Sequence, residues 1–356
     1  MKKYQGNVQI FSKMFSHPAG IDRGLDLAVD IAGNVVVTDY VYSNATLIND
    51  IITIYFNSSG EIVWHRTIPN LGDDKGMGIE ITINPIDGEI NDIFITGYLT
   101  NILTGKDYIT SKYSNLGVPI WQTVFSASNW DDVATDIKLD ERNAYVVGYS
   151  DQIGINYNDI MFLTYSKNNG SIDDVLIHNI PGRSEKPTSL ILLNESDHQL
   201  SKTRSIVTGI IDNISFPGAT SEYLTIKYDI DSNNQANVIW EKRFKNSSLP
   251  NHNIATSATT DNSGNVYVSG YVYNFDNINL SNGLDFATIK YKKNTAEYAW
   301  PKKVEYYNYS DTSSTSVDDK ASSIKINSKR EIFVAGTCQG ALNGFSYVQY
   351  KQNING

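Results

Sequence analysis

The stretch "DNSGNVYVSGY", residues 261–271, decides the fold, because the chain writes it more than once. "DIAGNVVVTDY" stands at 30–40, "DERNAYVVGY" at 140–149 and "NSKREIFVAGT" at 327–337. Each begins with Asp or Asn, passes through a short polar turn, and enters an apolar run. Gly33-Asn34 and Gly264-Asn265 mark that turn as a hairpin. The residues before each turn alternate apolar and polar, the period of a strand. They end at Asp30, Asn84, Asp140, Asn194, Asp261 and Asn327. The second strand runs to a small residue, at Asp39, Gly97, Gly148, Gly209, Gly270 and Gly336.

Working outward, a third strand shares its own signature in "DIITIYF", "DYITSKY", "DIMFLTY", "EYLTIKY", "DFATIKY" and "GFSYVQY". Its tyrosines, Tyr55, Tyr113, Tyr165, Tyr228, Tyr291 and Tyr350, stand 52 to 63 residues apart. A fourth strand carries Trp64, Trp121, Trp240 and Trp300, and the copy after Tyr165 has "SIDDVLI" instead. Repeated four-stranded units at this spacing predict an all-β chain, a single six-bladed propeller over residues 1–356 with antiparallel blades. After Tyr350 no fourth strand remains, whereas "GNVQIFSKMF" (6–15) has the spacing of "GVPIWQTVF" (117–125). Residues 6–15 are therefore expected to complete the last blade and close the ring, which removes sheet edges. The repeated Tyr and Trp are expected in the core between blades, since a blade cannot bury its faces alone.

The joined phrases "D-x-x-G-N-x-Y-V-x-G" and "D-aromatic-x-T-x-K-Y … W" resemble the SBBP repeat of bacterial and archaeal surface proteins, with a strand order similar to NHL-type propellers. The copies Asn253–Gly270 with Asp285–Trp300, and Asp132–Gly148 with Asp107–Trp121, carry it best. The resemblance spans nearly the whole chain and implies fold rather than activity. The family name implies seven blades, where six are counted here.

Net charge is −10, with 29 Lys and Arg against 39 Asp and Glu, which argues against nucleic acid and anionic membrane surfaces as partners. No apolar run is long enough for membrane insertion as a helix. The start "MKKYQGNVQIFSKMF" shows no signal peptide, although the resemblance implies an extracellular or cell-surface protein. Cys338 is the single cysteine and has no basic sequence neighbour.

Function is expected where the blades differ. The second-to-third and fourth-to-first strand loops are longer and unlike one another, and both kinds emerge on one face of a propeller. They offer Trp130, Tyr157, Phe216, Tyr273, Phe275, Tyr306, Tyr307 and Tyr309 beside many Asn, Ser and Asp. Rings next to amides and carboxylates suit a glycan or a protein partner; the alternative is that they fold down onto the blade tops. Asp22, Asp74, Asp132 and Asp319 form a column near the start of each first strand, with Asn253 in the same place and Glu185-Lys186 departing from it. Such carboxylates could hold Ca²⁺, could catalyse, or could bond the amides of their own loops. No other cofactor is implied. "HExxH" and "GxSxG" are absent.

The reading that follows is a non-catalytic surface or secreted propeller that binds through its loops. The alternatives are a propeller enzyme, a hydrolase or lyase acting on a saccharide or small ester through Asp74, Asp132 and Asp319, or a structural module of a surface assembly.

Overall fold

The computed structural model describes residues 2–5, 8–12, 23–43, 48–151, 157–193, 203–213, 220–245, 252–274, 283–300, 305–307, 318–339 and 345–353. These are all strands and turns. A short hairpin pairs β1 (Lys2–Gln5) with β2 (Val8–Ser12). Sheet 1 follows as β3 (Arg23–Val29), β4 (Val35–Ser43), β5 (Ile48–Phe56) and β6 (Ile62–Ile68). Sheet 2 is β7 (Lys75–Ile83), β8 (Ile90–Asn101), β9 (Gly105–Ser114) and β10 (Pro119–Phe125). Sheet 3 is β11 (Asp132–Leu139), β12 (Asn143–Asp151), β13 (Asn158–Ser166) and β14 (Ile172–His178). Sheet 4 is β15 (Arg183–Leu193), β16 (Thr203–Asn213), β17 (Ser221–Ile230) and β18 (Ala236–Phe244). Sheet 5 is β19 (Asn253–Thr260), β20 (Val266–Asn274), β21 (Gly283–Tyr291) and β22 (Glu305–Tyr307). Sheet 6 holds three strands, β23 (Asp319–Ile326), β24 (Glu331–Gln339) and β25 (Phe345–Asn353).

Each sheet is a meander in chain order. The chain divides into one unit of residues 1–156 and 161–175 and another of 157–160 and 176–356. Among the described residues sheet 6 has three strands, and β2, from the segment expected to complete it, is not paired there. Instead β2 pairs with β1 across Gly6-Asn7, a two-residue connection that costs little chain entropy to close.

The repeated phrase has a local cause in sheets 1, 3 and 5. The strand-ending Asp caps the first turn: Asp261 Oδ1 accepts from the N–H of Ser263 and Asn265, both at 2.9 Å. Its Oδ2 accepts from Asn265 Nδ2 at 2.9 Å and the Tyr267 hydroxyl at 3.0 Å. Asp30 and Asp140 do the same for their own turns. These are side chain-to-backbone bonds within a few residues, which set the hairpin before any tertiary contact forms.

The terminal glycine answers to a bulge. Pairing of first and second strands slips by one residue in all six sheets, as between Ala134 and Asp136, or Ala255 and Ser257. The bulged strand bends towards its partner. A Cβ at Gly97, Gly148, Gly209, Gly270 or Gly336 would overlap the carbonyl oxygen of Lys75, Val133, Lys186, Ile254 or Lys320. In sheet 1 the roles are exchanged, and Gly24 faces Asp39.

Third strands are buried almost end to end, since both faces of a sheet are covered. In the first unit one core joins Val36, Ile51, Tyr55 and Trp64 of sheet 1 to Ile79, Ile93, Ile109 and Tyr113 of sheet 2. A second joins Phe94 and Tyr108 of sheet 2 to Ile137, Val146, Leu163 and Tyr165 of sheet 3. In the second unit Tyr223 and Phe244 of sheet 4 pack on Val268, Ile289 and Tyr291 of sheet 5. Tyr267 and Trp300 of sheet 5 pack on Ile324, Ile332 and Val334 of sheet 6. The Trp residues also tie sheets together by hydrogen bonds. Trp64 Nε1 donates to Asn115 O at 2.8 Å, and Trp121 Nε1 to Lys167 O at 3.2 Å. Each indole lies over a positive-φ turn glycine of the next sheet, Gly117 or Gly170, where a side chain would collide with the ring.

Candidate functional site

Two of the acids singled out in the sequence, Asp74 and Asp132, are buried and hold loops. Asp132 is fully buried; its Oδ2 accepts from Ala127 N at 2.7 Å and Ser128 N at 3.3 Å, and its Oδ1 accepts from the Ser150 hydroxyl. Asp74 is likewise buried, with Oδ1 accepting from Thr100 N at 2.7 Å and Asn70 Nδ2 at 3.3 Å. Burial raises both carboxyls, Asp74 to about 6, against the opposing pull of those donors. Asp319 is buried as well, and Asp22 lies outside the described residues. Asp74 and Asp132 thus bond the amides of neighbouring loops. Among the described residues, no group of three or more His, Cys, Asp or Glu is placed to hold a metal ion.

Of the candidate aromatics, Trp130 stands out with 49% exposure. Its loop is tethered, for Ser128 Oγ accepts from Trp130 N at 3.1 Å and donates to Asp151 O at 2.9 Å. Tyr157 is half-buried, and its hydroxyl accepts from Gly182 N at 2.6 Å. Tyr273 is half-buried, with its N–H bonded to His252 O at 3.2 Å. Tyr306 and Tyr307 lie on β22 opposite Ala287 and Phe286. Phe216, Phe275 and Tyr309 fall outside the described residues.

A different cluster has the makings of a reaction site. It stands on the first strands of sheets 1, 2 and 3, all within the first unit. Asp26 and Asp136 occupy the same position, immediately after the bulge, on β3 and β11. Between them the corresponding residue of β7 is Gly78. A Cβ there would lie 3.1 Å from Asp136 Cα, so the missing side chain is what lets the two backbones approach. Asp26 reaches across to β7, where its Oδ2 accepts from Ile79 N at 3.0 Å. Two residues further along, Lys138 Nζ pairs with Asp136 Oδ1 at 3.0 Å and with Glu80 Oε2 at 3.2 Å. It also donates to Ile137 O at 2.8 Å.

These side chains are reachable: Lys138 retains 27%, Glu80 29% and Asp136 15% exposure. Burial pushes the Asp26 carboxyl up to about 6, and the Asp136 carboxylate adds to the rise; the Ile79 amide and the Lys138 ammonium oppose it. Burial alone would lower Lys138, but Asp136 and Glu80 outweigh that and hold it above its ordinary value. One carboxyl that takes up a proton near neutrality thus stands beside two that are ion-paired with a fixed cation. That division of roles is what acid–base chemistry at a polar bond requires.

Sequence reasoning missed this group. Asp26, Glu80, Asp136 and Lys138 lie within the alternating first strands and were not singled out. Their equivalent distance from the bulge was the available signal.

No family model matches the chain, and no curated protein matches it. Its architecture is shared with solved structures of low identity. An α-L-arabinofuranosidase from Fusarium graminearum in complex with an iminosugar inhibitor is 7% identical, with TM-score 0.51 and 92% of each chain covered. The same enzyme in complex with arabinobiose gives 8% identity and TM-score 0.50, again over 92% of each chain. An α-L-arabinanase from Penicillium chrysogenum with arabinobiose is 11% identical, with TM-score 0.50 and coverage of 93% of this chain and 94% of that one. The fold class is therefore that of the all-β propeller glycosidases. The non-catalytic binding propeller expected from the sequence is corrected by these structures: they are enzymes on the same architecture. The lack of a linear catalytic motif, on which that expectation leaned, therefore does not weigh against catalysis.

Proposed function

We propose that the chain is a saccharide-hydrolysing enzyme on a six-bladed propeller, with Asp26, Glu80, Asp136 and Lys138 as its reacting cluster. The observation that carries this reading is the unequal environment of two accessible carboxyls at equivalent places on the first strands either side of β7. Asp26, raised to about 6, suits proton donation to the oxygen of a leaving sugar. Asp136, ion-paired with Lys138, suits the opposite face of the sugar ring, where it would attack the anomeric carbon or draw a proton from water. Water is consumed, the glycosidic C–O bond breaks, and the donated proton stays on the departing sugar. Lys138 positions Asp136 and Glu80 without touching the reacting atoms. Trp130, exposed on a tethered loop, offers a face on which a further sugar ring can stack. The glycosidases of similar fold support a carbohydrate substrate, and an extracellular setting fits such a polymer.

The test is release of reducing ends from a panel of arabinans, xylans, other polysaccharides and aryl glycosides, by wild type and by Asp26→Asn and Asp136→Asn. Cleavage by wild type that falls at least about a hundredfold in both variants supports the assignment. Cleavage retained in both would remove the cluster from the mechanism, and no cleavage of any substrate would remove the reading itself.

A further inference from the structure

The acid that breaks the pattern is Glu185, in the place filled by Asp74 and Asp132 in their sheets. Its side chain is fully buried, and neither carboxylate oxygen has a hydrogen-bond partner. Asp74 and Asp132 at their sites are held by loop amides at normal hydrogen-bond distance; Glu185 is one methylene longer, and the Ile180 amide that faces it only partly offsets its burial. The charged groups that face it come from every strand around it. Asp159 stands at the start of β13, itself accepting from Asn179 Nδ2 at 2.7 Å. On β18, Glu241 pairs with Arg243 at 2.7 Å and with His178 of β14 at 3.3 Å. Arg183 is 3.8 Å from Glu222 of β17, and the Tyr228 ring packs edge-on against His178. The cations are thus engaged with other carboxylates, and Asp159 repels any charge on Glu185.

Burial outweighs the Ile180 amide and the Arg243 charge, so an ionised carboxylate is not stable in such a place. Glu185 must keep its proton or reach water. We propose that Glu185 is a buried, uncharged carboxylic acid, and that its ionisation opens the 179–182 connection between β14 and β15. Polar contacts tie this connection and the start of β15 to β13. Asn158 donates from both N and Nδ2 to Ser184 Oγ at 3.2 Å, and Gly182 N donates to the Tyr157 hydroxyl at 2.6 Å. Hydrating Glu185 separates these partners, and the junction becomes a pH-sensitive device independent of the proposed catalytic cluster.

Burial, then the Asp159 charge, lift Glu185 from an ordinary 4.5 to about 8. The sign follows: the closed state holds a proton that the opened state releases. Closure is therefore strongest below pH 4.5 and weakens as pH rises, reaching its limit near 8. Within that window the opening constant grows by up to about tenfold per pH unit.

The experiment is amide hydrogen exchange of segments 157–160 and 179–186 from pH 5 to 8.5, corrected for intrinsic rates, in wild type and Glu185→Gln. Opening that rises with pH in wild type and stays flat in the Gln variant supports the proposal. Identical pH profiles would overturn it. Should the Gln variant not fold, two measurements keep the test intact. The infrared carbonyl stretch of a protonated buried carboxyl is expected in wild type at pH 6 and lost above pH 9, and its absence at pH 6 overturns the proposal. Asp159→Asn, which removes the facing charge, is expected to move the rise to higher pH; an unmoved profile counts against the pairing.

Discussion

Gly270→Ala is the substitution that tests most sharply why the phrase ending in glycine recurs. The new Cβ would overlap Ile254 O and lie 2.8 Å from both Ala255 Cα and the Tyr223 hydroxyl. Two of these neighbours are backbone in the bulge of β19, so relief requires the bulge to move. Overpacking of this kind costs about 1–3 kcal/mol, set against the ~0.5–1 kcal/mol that Ala gains over Gly from a less flexible unfolded chain. A net loss of about 1–2 kcal/mol is expected in urea unfolding followed by tryptophan fluorescence. Gly24→Ala is the matched control. There the roles of the two strands are exchanged, and the new Cβ meets Val37 Cγ1 at an ordinary 3.6 Å. It is expected to leave stability unchanged or slightly raised. If Gly270→Ala were within about 0.5 kcal/mol of wild type, the steric account of the repeat would be wrong.

Trp121→Phe keeps the apolar contact but removes the shorter of two donors to Lys167 O, leaving only Lys112 Nζ at 3.5 Å. A loss of about 1–3 kcal/mol in urea unfolding is expected, and none would mean that the indole nitrogen is incidental. Asp132→Asn weakens the acceptor for Ala127 and Ser128, and thermal unfolding should come earlier while any saccharide turnover per folded molecule stays unchanged. A selective loss of turnover would return Asp132 to the reacting group. Lys138→Gln removes the cation from between Glu80 and Asp136, and since that ammonium also lowers Asp26, the Asp26 carboxyl should rise further above about 6. Carboxyl carbon NMR titration would show this, and an unmoved Asp26 would separate it from the lysine.

The all-β class and the individual sheets were legible because their causes are local. The Asp261 turn needs only residues 261–267, and alternation in "SATT" or "VYVSG" needs only its own strand. The pairing of β2 with β1 was not legible, because "GNVQIFSKMF" fits an outer strand as well as the second strand of a hairpin. The acids divided in the same way. Asp74 and Asp132 attracted notice as a loop column, yet burial gives them a structural task. Asp26, Glu80 and Asp136 lay unremarked inside "LDLAVD", "IEITIN" and "TDIKLD". Their meeting depends on bulges in three strands and on the bare backbone of Gly78, neither of which alternation reveals.

The most direct test of the central claim is the pH profile of kcat/KM on whichever saccharide the panel yields, for wild type and Asp26→Asn. With Asp26 as proton donor, activity needs its protonated form, so the wild-type profile should fall as pH rises through about 6. The Asn variant should lose that limb together with most of its rate. An alkaline limb that stays at the same pH in Asp26→Asn, with the rate preserved, would contradict the account and send the search for the proton donor elsewhere.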